Sequence, residues 1–303
     1  MAGPLAPLRR LGQNFLVDPN IQRKIVAHLD ASPSDVVLEI GPGDGALTRP
    51  VMAKVRRVVC VEVDRGRAAA LKKSLPKRSR ATVLCQDILK TDLMKIASAC
   101  RTDRLLVLGN IPYNITSSIL GRLCEAAPLV RVAYLTVQKE VAQRLCAGPG
   151  SKAYGALTCF VQYHFAVRRL FDIRPGSFRP RPKVTSTFIR LTPLRPSPSG
   201  TRSQRFLFRI IRAGFGQRRK RLAAALKTVL PAAVLRMPAA APYLTRRAED
   251  MSLEDFAALC HLAQAASSQI WQKVTRSKTA KNLAENDQVL NCQNSGFGPE
   301  ALH

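Results

Sequence analysis

The sequence is short of acidic side chains. Its 303 residues include 20 Asp and Glu against 48 Lys and Arg, so the formal net charge is +28. So large a positive excess repels itself unless a polyanion neutralises it, and a nucleic acid is therefore the expected partner. Solubility alone needs a much smaller net charge. Charge leaves open whether the nucleic acid is RNA or DNA.

Paired cysteines, histidine motifs and long apolar runs are also missing. The eight cysteines form no Cys-x-x-Cys pair and no cluster with the four histidines, which argues against a bound metal. Most cysteines lie in apolar stretches, as Cys60 does, which is typical of a reducing compartment. No apolar run reaches the length of about 18 residues that a membrane-spanning helix requires, and residues 1–10 hold no signal-peptide core. We expect a cytoplasmic protein with no membrane partner.

Short apolar runs alternate with helical segments between residues 19 and 191. The runs are continuous, which is typical of strands buried on both faces. Alternating β and α segments at this spacing predict a doubly wound, Rossmann-like α/β fold. The predicted strands are 36–40, 58–63, 81–85, 105–108, 132–137, 158–166 and 187–191, and the predicted helices are 19–29, 46–54, 66–75 and 117–126.

The last third of the chain has a different character. Residues 192–200 are rich in Pro and Ser and indicate a linker. Residues 202–214, 218–230 and 252–266 look helical, and positions 195–250 carry 13 Lys and Arg against 2 acids. These segments predict a small, basic, all-α domain. The polar residues after 266 are expected to be disordered. The predicted organisation is an N-terminal arm with a cofactor motif (1–17), an α/β domain (18–194), a basic helical domain (201–266) and a tail (267–303).

A glycine-rich turn follows the strand at 36–40. In Gly41-Pro42-Gly43-Asp44-Gly45, glycine lets the backbone turn sharply and approach a ligand closely, and the next helix offers its N-terminal amides. Gly41 and Gly43 are the predicted contacts. The spacing differs from the Gly-x-Gly-x-x-Gly of dinucleotide sites. It favours S-adenosylmethionine, which has no pyrophosphate to bind.

Two acids follow the next two strands. Glu62 ends the second strand, where a carboxylate can accept both hydroxyls of a ribose. Asp87 follows the third strand, where it can accept from an adenine amino group. Either acid alone could be a solvated strand-end residue. Because both belong to the carboxyl edge of one sheet, together they predict an adenosine-containing cofactor.

The segment after the fourth strand, Asn110-Ile111-Pro112-Tyr113, carries the predicted catalytic groups. An adenine amino group is a poor nucleophile because its lone pair is delocalised into the ring. Two oxygens can accept hydrogen bonds from its two N–H groups and free that lone pair: the side-chain oxygen of Asn110 and the carbonyl oxygen of Ile111, held by Pro112. Tyr113 can stack on the base. No histidine base is required. Alone the segment is an ordinary proline turn; behind a cofactor motif it predicts methylation of adenine N6.

From residue 11 to 263 these motifs resemble the small-subunit ribosomal RNA adenine N6-dimethyltransferases, a family of class I methyltransferases. The resemblance implies that Asn14 and Leu16, in Gly12-Gln13-Asn14-Phe15-Leu16, contact the cofactor, and that Asn110 does so too. It also implies that Phe178, in Phe-Arg-Pro-Arg-Pro-Lys-Val, stacks on the target adenine opposite Tyr113.

The resemblance also implies a substrate. Such enzymes dimethylate two adjacent adenines near the 3′ end of small-subunit rRNA, within a nearly assembled subunit, and we expect this chain to do so as a monomer. Thr185 stands where the family has aspartate. Ile111 stands where the ribosome-biogenesis members more often have leucine, whereas isoleucine is common in the related erythromycin-resistance methyltransferases, which modify large-subunit rRNA. That large-subunit activity and a non-catalytic, nucleic-acid-binding role are the alternatives.

The predicted RNA-binding residues are Arg218, Arg219, Lys220 and Arg221, at the start of a helix in the basic domain. Contacts from such side chains to phosphates supply affinity and register but read no sequence. An isolated basic cluster is more often simply solvated. In a chain of this charge, with an adenine-methylating site, we interpret it as an RNA contact, with the target selected by RNA shape.

Overall fold

The computed structural model describes residues 14–194 and 201–266. The chain folds into two compact units, Met1–Ser199 and Gly200–His303. The disorder expected after residue 266 lies outside the described residues, as does most of the predicted linker. The predicted division of the chain into four segments stays a prediction.

A seven-stranded sheet forms the centre of the first unit. Its strands are β2 (Val36–Ile40), β3 (Arg57–Glu62), β4 (Ala81–Cys85), β5 (Leu105–Asn110), β6 (Val130–Gln138), β7 (Phe165–Ile173) and β9 (Ser186–Pro193). They lie in the order β4-β3-β2-β5-β6-β9-β7. Pairing is parallel from β4 to β6, and β9 runs antiparallel to both of its neighbours. The predicted parallel sheet therefore has one reversed strand.

Helices cover both faces of this sheet. They are α1 (Pro19–His28), α2 (Thr48–Met52), α3 (Arg65–Ser74), α4 (Leu93–Ala99), α5 (Thr116–Glu125), α6 (Lys139–Leu145) and α7 (Ala156–His164). Leu38 and Ile40 of β2 pack in a cluster with residues of α4 to α7, whereas Val37 packs with residues of α1 to α3. Two buried faces explain why β2 is an unbroken apolar run apart from Glu39. The class I methyltransferase architecture is thus present.

Residues 158–166 differ from their prediction as a strand. They form most of α7, and β7 begins only at Phe165. The segment is apolar enough to be buried as either element, and length decides between them only when the boundaries are known. Here Cys159, Val161 and Tyr163 are buried along the helix.

Two short strands hold the beginning of the chain. β1 (Phe15–Leu16) pairs antiparallel with β8 (Phe178–Arg179), in the register Phe15 to Arg179 and Leu16 to Phe178. Next, Pro19 opens α1, and the carboxylate of Asp18 accepts from Asn20 N at 2.9 Å. Residues 15 and 16, expected in the N-terminal arm, therefore pair within the unit that contains the sheet.

The second unit is helical. Its helices are α8 (Thr201–Gly216), α9 (Leu222–Ala225), α10 (Ala232–Leu235), α11 (Ala241–Leu244) and α12 (253–266). The helix predicted at 218–230 is wrong, because residues 217–220 form a turn and α9 is one turn long. A Cβ on Gly214 would lie 2.9 Å from Leu222 Cδ2, so the chain folds back at close range onto α8.

Two kinds of feature are absent from the described residues. Within residues 14–194 and 201–266, no helix is long and apolar enough to cross a bilayer. Across the same ranges, no three His, Cys, Asp or Glu side chains meet in a way that could hold a metal ion.

Phe188 should be a large contributor to the stability of the sheet. Its side chain is fully buried, and its ring centroid lies 5.4 Å from Phe171 and 5.9 Å from Tyr134. We predict that Phe188→Ala lowers the free energy of unfolding by about 3–5 kcal/mol, measured by urea denaturation. Leu194→Ala, at a side chain 41% exposed, is the control and should change little. A loss no larger than in the control would contradict the packing described.

Candidate active site

A cleft opens at the carboxyl edge of the sheet, where β2, β3, β4 and β5 end. Six predicted site residues line it: Asn14, Gly41, Glu62, Asp87, Asn110 and Pro112. The topology therefore brings residues from five separate parts of the sequence to one cavity.

The glycine-rich turn forms the wall beside β2. Three glycines have positive φ values: +65° at Gly41, +55° at Gly43 and +80° at Gly45. Residues other than glycine rarely adopt such values. A Cβ on Gly43 would lie 2.8 Å from Phe15 Cδ1. Glycine is needed at position 43 for both its backbone conformation and its close contact.

Glu62 is buried at the end of β3, with 3% of its surface exposed. Its Oε2 accepts from Gly43 N at 3.1 Å and its Oε1 from Asp64 N at 3.0 Å. Burial raises the pKa of Glu62, and the two amides act against that shift by stabilising the charged form. Because each carboxylate oxygen can accept more than one hydrogen bond, Glu62 can still hold the hydroxyls of a ribose.

Asp87 lies in a tight turn after β4, where its Oδ1 accepts from Leu89 N at 2.9 Å. Val63 and Ile88 line the same cleft, and Val63 is 50% exposed. These apolar side chains can contact the faces of a flat ring while the polar edge meets Asp87. Neither residue was predicted from the sequence, although each directly follows a polar site residue.

Asn110 ends β5 and contacts the N-terminal segment. Its Nδ2 donates to the carbonyl oxygen of Asn14 at 2.7 Å. Only the NH₂ end of an amide can donate, so this contact fixes the orientation of the side chain. Oδ1 is then left as an acceptor on a residue that lines the cleft.

The three residues after Asn110 divide their roles between core and surface. The Ile111 side chain is buried in the core, and Pro112 holds the backbone extended with φ −60° and ψ 135°. Tyr113 is half-buried, and its hydroxyl lies 2.6 Å from Ser186 Oγ. Burial raises the pKa of Tyr113, so its hydroxyl is neutral at physiological pH.

Comparison with known proteins agrees with this geometry. A sequence model of the family described as ribosomal RNA adenine dimethylase matches residues 8–265. The chain belongs to the ribosomal RNA adenine dimethylase family. It is an S-adenosylmethionine-dependent rRNA adenine methyltransferase.

Individual relatives cover most of the chain. A ribosomal RNA small subunit methyltransferase A from Aromatoleum aromaticum is 39% identical over 259 residues, which are 86% of this chain and 95% of the relative. A dimethyladenosine transferase from Plasmodium falciparum superposes with a TM-score of 0.70 at 26% identity, over 81% of this chain and 95% of the other. The 23S rRNA methyltransferase ErmE, with a TM-score of 0.62 at 24% identity over 83% of this chain and all of the other, shares the fold.

Phe178 is buried in the core of this enzyme. It is 2% exposed and packs in the apolar cluster of Leu16, Ile173 and Phe188. The prediction that its ring stacks on the target adenine opposite Tyr113 stays a prediction, and in this structure neighbouring side chains cover the ring. Leu16, which pairs with Phe178, lines a second cavity beside the cleft.

The dimethylase has Thr185 where the resemblance implies an aspartate. The Thr185 carbonyl accepts from Lys139 N at 2.9 Å, so this residue contributes through its backbone. The acid beside Lys139 comes instead from β7: Asp172 Oδ2 lies 2.6 Å from Lys139 Nζ, and Asp172 Oδ1 accepts from Thr187 at 2.7 Å. Both contacts lower the pKa of Asp172.

Contrary to the prediction from the sequence, the predicted RNA-binding cations do not lie at the start of a helix running from 218 to 230. Arg218, Arg219 and Lys220 lie in the turn after α8, and Arg221 is the N-cap residue of α9. Gly214 and Gly216, near the end of α8, disfavour a continuous helix. Arg218 Nε pairs with Glu249 Oε2 at 2.7 Å, whereas Arg219, Lys220 and Arg221 are exposed.

Glu39 is a site residue that the sequence analysis missed. It lines the second cavity together with Gly41 and Asn110, and it is 2% exposed. Thr48 Oγ1 donates to its Oε2 at 2.6 Å, and Cys60 Sγ lies at 3.7 Å. Burial raises its pKa to about 7. An acid inside an apolar strand was the signal that could have identified it.

The close packing of the glycine turn gives a first prediction for the site. Gly43→Ala adds a methyl group against Phe15 at a backbone conformation that alanine disfavours, so the affinity for S-adenosylhomocysteine should fall at least about tenfold. Isothermal titration calorimetry measures this. Gly121→Ala is the control, since a Cβ there meets nothing within 4 Å. Equal affinity in both variants would contradict the role given to Gly43.

Glu39 gives a prediction about pH. Its folded-state pKa of about 7 lies above the ordinary 4.5, so the folded state holds the proton more tightly than the unfolded state does. Its stabilising contribution is therefore present below about pH 4.5 and is lost as pH rises through about 7. The Gln side chain of the variant Glu39→Gln cannot ionise. The free energy of unfolding of this variant should therefore rise relative to that of the parent protein by about 1–3 kcal/mol between pH 5 and pH 8.

Urea denaturation at several pH values measures this gain. Glu140→Gln, at an acid 81% exposed, is the control and should show no comparable trend. A stability difference between Glu39→Gln and the parent that stays constant with pH would show that Glu39 does not titrate in this way.

Proposed function

We propose that this enzyme transfers methyl groups to the N6 atoms of two adjacent adenines near the 3′ end of small-subunit rRNA. The relatives from Aromatoleum aromaticum and Pseudomonas aeruginosa, named as small-subunit methyltransferases, are 39% and 38% identical along 95% and 93% of their own lengths. The likeness to the 23S rRNA enzyme supports only a common fold. These sequence matches favour the small subunit.

The hydrogen bond from Asn110 to Asn14 carries the proposed chemistry. Because Nδ2 of Asn110 donates to Asn14, the amide is oriented so that its Oδ1 can accept a hydrogen bond from one N–H group of the adenine amino group. The carbonyl of Ile111, on the backbone held by Pro112, accepts the other. Two acceptors keep the nitrogen pyramidal and return its lone pair for attack. S-adenosylmethionine supplies the methyl group from its sulfonium when bound.

The cofactor is proposed to occupy the cleft along the carboxyl edge. Glu62 would accept from the ribose, Asp87 from the adenine amino group, and Val63 and Ile88 would contact the ring. Gly41, Gly43, Asn14 and Leu16 would bound the remainder of the ligand. The residues fit this group, because two acids and apolar walls lie in one cavity.

Proton removal needs no dedicated base in this proposal. No histidine is among the described residues that line the cleft or the second cavity. Once the new N–C bond begins to form, the amino nitrogen becomes acidic and water can take its proton. Catalysis then comes from positioning and from the arrangement of acceptors around the amine.

Tyr113 is proposed to stack on the extruded adenine. Its hydroxyl contact with Ser186, at 2.6 Å, anchors the far end of the ring to β9. The RNA contacts are proposed for Arg219, Lys220 and Arg221, with Arg218 sharing its charge with Glu249. We further propose that a monomer acts on the rRNA within a pre-ribosomal subunit.

Asn110→Ala tests the chemistry. Removing the acceptor should lower kcat by at least about 10²-fold, while the affinity for rRNA stays within about twofold. Methyl transfer from labelled S-adenosylmethionine and filter binding measure the two quantities. Asn20→Ala, at an exposed asparagine on α1, is the control and should keep its turnover. A variant at position 110 that keeps most of its turnover would overturn the assigned mechanism.

The substrate is tested with unmethylated small subunits and with naked 23S rRNA, each incubated separately with labelled cofactor. We expect label in the small-subunit rRNA, and nuclease digestion should yield N6,N6-dimethyladenosine. Label that enters only the 23S RNA would refute the proposed substrate and support the erythromycin-resistance type of activity.

A further inference from the structure

An arginine is buried beside the glycine-rich turn at residues 41–45, which we call the cofactor turn. Arg67, on α3, is 1% exposed. Its Nη1 lies 2.5 Å from Asp44 Oδ1 in the glycine-rich turn, and its Nε lies 3.9 Å from Asp64 Oδ2. Removing a guanidinium from water is costly unless charged and polar partners compensate it. A side chain held there against that cost links α3 to the cofactor turn.

The same guanidinium lies against an aromatic ring. Arg67 Cζ is 3.8 Å from the ring centroid of Phe15, a stacked cation–π contact that is stronger when it is shielded from water. Phe15 is also in contact range of Gly43, as the clash of a Cβ at that position demonstrates. The ring is therefore held between the arginine and the cofactor turn.

Phe15 lines both the cleft and the second cavity, as Gly41 and Asn110 also do. The strand that carries it, β1, has only two residues, so backbone pairing alone holds it weakly. Asn14 precedes it, and the Asn14 carbonyl accepts from the Asn110 side chain at 2.7 Å. Contacts thus run without a gap from Arg67 through Phe15 and Asn14 to Asn110.

We propose that Arg67 is a positioning residue that holds Phe15 as the inner wall of the cofactor site and, through Asn14, orients the Asn110 amide. The role needs both properties of arginine: a charge that pairs with Asp44 and a planar face that stacks on Phe15. Arg67 itself lines neither cavity among the described residues. This inference rests on the proposed placement of the cofactor in the cleft.

Arg67→Leu removes the guanidinium and keeps an apolar side chain beneath Phe15. We expect KM for S-adenosylmethionine to rise about tenfold and kcat to fall about threefold, because both the wall and the amide lose their support. Affinity for rRNA should not change. Arg65→Leu is the matched control, an exposed arginine two residues earlier on the same helix. Unchanged KM and kcat with only a lower melting temperature would overturn the proposal.

Asp44→Asn tests the contact without opening the core, since the Asp44 side chain is 59% exposed. It should raise KM for S-adenosylmethionine about threefold with no loss of folded protein. A double-mutant cycle with Phe15→Leu then tests the route. Arg67→Leu should add less than about twofold to the KM of Phe15→Leu. Fully multiplicative effects would show that Arg67 does not act through Phe15.

Asp87→Asn separates this inference from the proposed cofactor site. A raised KM in Asp87→Asn together with a normal KM in Arg67→Leu would overturn the role of Arg67 alone. A normal KM in Asp87→Asn would overturn the placement of the cofactor, and the role of Arg67 with it.

Discussion

Burial of the central strands on both faces is the constraint from which the active site follows. Every residue of β2, and all of β5 except Asn110, is buried. A polar side chain inside such a strand must be paired or neutralised, and polar groups are tolerated most easily where the strand ends. Glu62, Asp87 and Asn110 all stand at or just after a carboxyl end. The packing of the sheet thus gathers them at one edge.

Charge is segregated in this molecule. The chain as a whole is strongly cationic, yet Glu62 and Asp87 are the charged residues of the cleft, and Arg49 is the only cation among the described residues that line the second cavity. S-adenosylmethionine carries a sulfonium cation, and acids in a cavity of low dielectric favour such a ligand. The positive excess suits an rRNA substrate, and the proposed cofactor cleft holds acids that suit the methyl donor.

The cofactor turn is stabilised by contacts from distant parts of the chain. Glu62 accepts from Gly43, Arg67 pairs with Asp44, and Phe15 packs on Gly43. A turn with three positive φ angles is conformationally costly for most residues and has few internal contacts. Support from β3, α3 and β1 therefore holds it in one conformation. The same contacts give the N-terminal segment a structural reason to lie over the active site.

The sequence by itself determined the strands β2 to β6, three of the four helices between them and the residues at the strand ends. Periodicity and turn chemistry are local, so β2 and β4 could be predicted to the residue, and the glycine turn, Glu62, Asp87 and Asn110 could be recognised. Local pattern could not distinguish a buried helix from a buried strand at 158–166. It also could not show that the cations at 218–220 lie in a turn.

Only the tertiary structure decided which side chains touch. The contact between Asn110 and Asn14 joins residues 96 positions apart, and the burial of Phe178, Glu39 and Arg67 depends on what packs over them. Such contacts arise when helices and strands close around a shared core, and no local property of the chain encodes their distances. The sequence therefore specified the chemical groups, and packing specified their geometry.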